Sequence, residues 1–269
     1  MTPPIRRGNV LGVMVTGIEM ETAVASVMDA AGRRRPLGVT ALAVHGVMMA
    51  TKDPTLRFRL NHLDLVLPDG QPVRWALAWL HGIRIPDRIP GPDLMYSVCK
   101  EAAAAGLGIF MYGSTGSTLE RLRSGLERSI PNLVVAGTQA SRFRPATETE
   151  RASDLDKIKA SGASIVFVGL GCPRQEVWVY ENRLELSMPV LAVGAAFDYH
   201  AGLLRRSPRW MGRAGLEWLY RLAQEPRRLS ARYLKLNPAF IASLVSQKSG
   251  LGTYSEERAT PPTDLTRPS

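Results

Sequence analysis

Short apolar runs alternate with amphipathic stretches along most of the chain. Seven runs read as strands: Val10–Val15, Val39–Val44, Asp64–Leu67, Gly108–Tyr112, Leu133–Gly137, Ile165–Gly169 and Val190–Val193. Between most of them apolar positions recur at helical spacing, over Met20–Ala31, Val47–Asn61, Pro92–Ala105, Leu119–Ser129 and Glu148–Ser161, with a further helix around Val73–Leu80. Strand–helix alternation with apolar strands predicts an α/β fold, a mostly parallel sheet covered by helices on both faces. Beyond about Pro208 the pattern turns helical throughout. The stretch around "EWLYRLAQEPRRLSARYLKL" predicts two helical segments broken at Pro226, with Leu229, Tyr233 and Leu236 on one face and Arg228, Arg232 and Lys235 on the next. The reading is a core over 1–207, a helical appendage over 208–247 that the core does not need in order to fold, and a polar, Pro/Ser/Thr-rich tail over 248–269 that is expected to be disordered.

Length and composition narrow this picture. A chain of 269 residues, 45% hydrophobic, has room for a core that needs no disulfide or metal staple. Its two cysteines, Cys99 and Cys172, lie far apart and fit a reducing compartment. The N-terminal apolar run is broken by glycine and closed by acids, so it reads as a first strand and not a signal peptide. No uncharged run reaches the roughly 18–20 apolar residues a membrane span needs, which implies a soluble or peripheral protein.

Charge adds the first functional clue. The net charge is +10, and the window Arg205–Lys235 holds nine basic residues against two acids, Glu217 and Glu225. Such a cluster suits an anionic partner: a membrane surface, phosphates or nucleic acid. A solvated face with no partner explains it equally simply.

In a parallel sheet, ligands bind at the carboxyl ends of strands. Asp69, in "PDGQPV", stands there as a general-base candidate or as a turn aspartate. Gly113, Ser114 and Thr115 open "GSTGS", a turn into a helix that suits an anion but lacks the Lys of a P-loop. Gly169 and Gly171 begin "GLGCPRQE". This resembles a dinucleotide fingerprint without its third glycine, and its Cys172 has no histidine assigned as a base. Pro173 sets the bend, after which Gln175 and Glu176 start a helix and are read as an amide and a carboxylate facing the crevice. Gly194 and Asp198 lie in "GAAFDYHAG" as ligand contacts or plain turn residues. No Asp-x-Asp or His/Cys metal spacing occurs at a strand end, so no metal and no cofactor is expected.

Taken in order, "DLVLPDGQPVRWA", "RIPGPDLM", "IFMYGSTGS", "VFVGLGCPRQEVW", "VGAAFDYHAG" and "SPRWMGRAGLEWLYRLAQEPRRLSARYL" resemble the WecG/TagA/CpsF glycosyltransferase family, over roughly Val39 to Phe240. The resemblance implies a Rossmann-like core with a C-terminal helical appendage. It implies inverting, metal-independent transfer of a hexosyl group (N-acetylmannosamine, its uronic acid or glucose) from a UDP-sugar to a polyprenyl-diphosphate-linked sugar in bacterial cell-surface polysaccharide synthesis. It assigns Asp69 as base and Gln175 as an active-site glutamine. Arg174 stands where the family has lysine, and Arg88 precedes the Gly-x-Asp-Leu segment. Arg221, Arg228 and Arg232 are placed toward the acceptor diphosphate and the membrane. Two positions depart from the family pattern: Ala43 stands where asparagine is expected, with Thr40 and His45 near it, and Ser207 replaces an alanine.

On this reading the protein is cytoplasmic and peripheral on the inner face of the cell membrane. Its partners are the UDP-sugar, the lipid-linked acceptor and the membrane surface, without nucleic acid. The sequence leaves oligomeric state open, a homo-oligomer included. Its rivals are a nicotinamide-dependent oxidoreductase, which needs the absent ribose acid, a basic nucleic-acid-binding module, which leaves Asp69 and Gln175 unused, and a Cys172 hydrolase.

Overall fold

The computed structural model describes residues 5–255 and 259–262, without the side chains of Arg209, Arg228, Ala231 and Arg232. The chain opens with β1 (Arg6–Val10), β2 (Val13–Gly17), α1 (Met20–Gly32), β3 (Leu37–Leu42), α2 (Val44–Lys52), α3 (Pro54–Asn61), β4 (Leu65–Pro68), α4 (Gln71–His81) and α5 (Gly91–Ala104). It continues with β5 (Ile109–Gly113), α6 (Gly116–Ser129), β6 (Val135–Gln139), α7 (Glu148–Ala160), β7 (Ile165–Gly169), α8 (Arg174–Leu186), β8 (Pro189–Ala192) and α9 (Ala196–His200). Then come α10 (Arg209–Arg213), α11 (Glu217–Gln224) and α12 (Pro226–Lys248). The chain divides into two compact units. One gathers Met1–Glu19, Leu42–Ile89 and Arg206–Ser269; the other gathers Met20–Ala41 and Pro90–Arg205.

The second unit carries a parallel sheet in the order β3-β8-β7-β5-β6. Its strands read as continuous apolar runs because helices cover both sides of the sheet. In β7, Val166, Phe167 and Val168 are fully buried, as are Val190 to Ala192 in β8. Helix starts follow local chemistry. Thr115 caps α6 by accepting from Thr118 N–H, and Thr147 with Glu150 forms a capping box on α7. The α/β class read from the sequence is the class found.

The first unit begins with an antiparallel hairpin where the sequence suggested one strand over Val10–Val15. Leu11 and Gly12 both take positive φ (54° and 90°), the backbone a two-residue hairpin turn requires. The helix expected over Val47–Asn61 is two helices. Asp53 ends the first and caps the second, accepting from Thr55 N–H (2.9 Å) and Leu56 N–H (3.0 Å), with Pro54 in the first helical turn. The strand expected at Leu133–Gly137 lies two residues later.

Helix α12 starts at Pro226, where the break was expected. It buries Leu229, Phe240 and Leu244 in this unit, at helical spacing. Near its end, Gln247 accepts from Leu11 N–H (2.9 Å) and donates to Asn9 O (2.9 Å). The basic C-terminal helix is therefore part of the first unit's own core. Of the tail expected to be disordered, residues 256–258 and 263–269 lie outside the described residues.

Candidate active site

In the second unit, two glycine turns meet at the carboxyl ends of β5 and β7. A side chain on Gly113 would collide with the Gly169 backbone at 2.7 Å, and one on Gly169 with the Phe197 ring at 2.5 Å. These two glycines are accounted for by packing. Gly171 (φ 78°) faces open space, and Gly194 (φ 61°) has only Gln175 Nε2 within reach, at 3.8 Å. Ser114 also takes positive φ, and its carbonyl accepts from Ser141 N–H (2.9 Å), tying "GSTGS" to the loop after β6. The Thr115 hydroxyl is spent on the α6 cap. Beneath this turn, Tyr112 donates to Asp154 (2.9 Å), whose carboxylate also takes the Arg142 guanidinium. Burial first, then the bond to Asp154, pushes the Tyr112 hydroxyl up to about 12.

The turn Gly169–Glu176 is closed from within. Gly171 N–H donates to Gln175 Oε1 (3.2 Å), and Gln175 Nε2 donates to Glu176 Oε1 (2.9 Å). Thr40, in β3, donates to the same oxygen (3.2 Å). Gln175 is 1% exposed and Glu176 0%. Burial is the largest influence on Glu176 and raises its pKa above the usual carboxylate range. Bonds from Gln175, its own backbone, Thr40 and the Cys172 thiol oppose the rise. Arg174 turns back to Leu170 O (2.9 Å). Asp198 sits in α9, its carbonyl accepting from Leu203 N–H (2.9 Å). His200 is held by Pro92 O (2.8 Å) and stacks on Tyr96.

In the first unit, Asp69 follows β4. Its N–H donates to Leu42 O (3.2 Å), and Ile89 N–H donates to Pro68 O (2.8 Å). The N-cap of α4 is Gly70, which has no side chain to cap with. Arg88 donates to Asp69 O (3.0 Å), lies 3.8 Å from the Asp69 carboxylate and pairs with Glu217. The Arg88 segment is anchored on α4: Arg74 donates to Ile85 O (2.8 Å) and Pro86 O (2.9 Å), and Gln71 donates to Asp87 (3.1 Å). A side chain on Gly212 would stand 3.2 Å from the Arg88 guanidinium. Arg221 pairs with Glu225 (3.3 Å). The Arg228 and Arg232 side chains lie outside those described. Ala43 is the N-cap of α2 and offers it no side-chain bond.

The structure thus groups Gly169, Gly171, Arg174, Gln175 and Gly194 in one unit, and Asp69 with Arg88 in the other. The sequence reading left Glu217 out of the site and turned the Glu176 carboxylate toward the crevice, whereas it is fully buried. Glu217 had one signal, being one of two acids in a basic window. Glu176 sits on α8's buried stripe with Gln175, Val179, Asn182 and Leu186, an acid at a core position. No group of three or more His, Cys, Asp or Glu side chains suited to a metal occurs among the described residues. A cavity of about 250 Å³ lies near Lys100, Ser129 and Asn132, in segments that lead into β5 and β6, away from the strands' carboxyl ends.

A model of the glycosyl transferase WecG/TagA/CpsF family matches residues 8–253. An N-acetylglucosaminyldiphosphoundecaprenol N-acetyl-beta-D-mannosaminyltransferase of Bacillus spizizenii is 31% identical over 180 residues, 66% of this chain and 68% of that protein.

Proposed function

Because this chain belongs to the WecG/TagA/CpsF glycosyl transferase family, we propose that it is an inverting hexosyltransferase. It moves a sugar from a UDP-sugar to a polyprenyl-diphosphate-linked N-acetylglucosamine in cell-surface polymer synthesis. N-acetylmannosamine stands first among the donor sugars, ahead of its uronic acid and glucose, because the Bacillus relative is named for that transfer.

The observation that carries the mechanism is the Asp69 carboxylate. It follows a buried strand, is 31% exposed and lies 3.8 Å from a guanidinium that other groups hold. A carboxylate so placed can accept the proton of the acceptor hydroxyl as that oxygen attacks the sugar. Arg88 stabilises charge that develops beside Asp69. In the second unit, the helix starts after Gly113–Thr115 and Gly171–Arg174 suit the donor's diphosphate. Gln175 acts through the shape of its turn. Arg221, Arg228 and Arg232 meet the acceptor diphosphate.

No described helix is long and apolar enough to cross a membrane. The first unit exposes Trp79, Trp210, Leu234 and Ile241 and carries most of the basic window Arg205–Lys235. Exposed tryptophan and basic charge together suit peripheral attachment to an anionic leaflet, where a lipid-linked acceptor resides.

Calorimetry of the full chain with UDP, UDP-sugars and NAD(H), followed by transfer to a polyprenyl-diphosphate-linked acceptor, tests the reading. UDP binding and transfer are expected. Binding of NAD(H) with no affinity for UDP would overturn it.

A further inference from the structure

We propose that Glu176 is the positioning residue of the Gly171–Gln175 turn and works as a neutral carboxylic acid. Thr40 Oγ1 and Gln175 Nε2 both donate to Glu176 Oε1, and the Cys172 thiol stands beside the same carboxyl group. With N–H and O–H donors both directed at Oε1, the proton of a neutral acid belongs on Oε2. That atom is buried without an N–H or O–H partner among the described residues. Taking an ionised carboxylate fully out of water is far costlier than burying the neutral acid. The raised pKa of this group, caused first by burial, agrees with that assignment.

The consequence reaches the turn. Glu176 Oε1 demands a donor, so it receives the nitrogen of the Gln175 amide, and the amide oxygen is left to take Gly171 N–H. The same nitrogen borders Gly194. One neutral acid thereby sets the orientation of Gln175 and the closure of the Gly171 turn, and links both to β3 through Thr40.

The role in ligand binding rests on the donor reading above; the positioning role does not. The test compares wild type, Glu176→Gln, Glu176→Ala and Thr40→Val as full chains. Hydrogen exchange of the peptide spanning 169–177 is read without ligand, and UDP affinity by calorimetry. Glu176→Gln keeps an acceptor oxygen with a neutral partner atom, so exchange and affinity are expected within about twofold of wild type. Glu176→Ala leaves two donors unpaired and is expected to speed exchange and weaken UDP about tenfold or more. Thr40→Val removes one donor and should fall between them. Loss in Glu176→Gln equal to that in Glu176→Ala overturns the neutral acid. Unchanged exchange in Glu176→Ala overturns the positioning role. If the alanine variant does not fold, the glutamine and Thr40→Val variants decide the same question. Failure of wild type to bind UDP overturns the donor reading, while the exchange comparison still decides the role of Glu176.

Discussion

Glu176 and Glu217 each stand in the first turn of a helix, where the backbone dipole favours an anion. Their surroundings treat the same side chain in opposite ways. Glu217 is 29% exposed and pairs with Arg88, so its charge is kept and used. Glu176 is wholly buried, and the neighbours bonded to it are neutral. The dipole contributes about 0.3–2 kcal/mol to an anion, whereas burying one costs several kcal/mol. Burial therefore wins at Glu176, and the acid becomes a structural hydrogen-bonding group. In the mechanism proposed above, chemistry that needs charge belongs to the Asp69–Arg88–Glu217 cluster and shape belongs to the Gly171–Glu176 turn.

Asp69→Asn is the sharpest test of that division. Transfer should fall about 10²–10⁴-fold, the usual contribution of a general base, while UDP affinity stays within about twofold. Unchanged turnover would remove Asp69 from the mechanism.

Glu176→Ala comes next, with a stability loss of about 2–4 kcal/mol in denaturant melts from two buried donors left unpaired. Its glutamine counterpart bears on pH. The folded-state pKa of Glu176 is raised above 4.5, so its stabilising contribution is complete below that pH and declines as pH rises toward the folded value. The Glu176→Gln variant should gain on wild type above pH 4.5, by at most about 1.4 kcal/mol per pH unit until that value is reached. Parallel stability curves for the two proteins would show that the acid does not titrate on folding.

Glu217→Gln removes one anchor of Arg88. Because the pair is partly exposed, the expected loss is only about 1 kcal/mol, seen as a roughly fivefold drop in transfer with little change in melting temperature. A variant as inactive as Asp69→Asn would instead place Glu217 in the chemistry.

The smallest effect concerns a helix start that has neither acid nor cap. Ala43→Asn should cap α2 and raise stability by about 0.5–1 kcal/mol in a thermal melt; no gain would mean that water already serves those amides as well.

Periodicity alone made the α/β class legible, because buried parallel strands and amphipathic helices leave different spacings. It also made the strand-end residues legible, since ligands collect there in any parallel sheet. The hairpin at Leu11–Gly12 was written in two residues, but only backbone pairing distinguishes a hairpin from one strand across so short a turn.

What the sequence determined by itself was the set of chemical parts: Asp69, the glycine turns, the glutamine and the basic window. Tertiary structure decided which parts meet. Arg88 reaches Glu217 across 129 positions of sequence, and Thr40 reaches Glu176 across 136. No local pattern encodes such pairings. Nor could the sequence say that Gly113 and Gly169 are small to let protein atoms approach, while Gly171 opens to solvent. Whether Glu176 is an anion or an acid depends on burial, and burial exists only once the chain has folded.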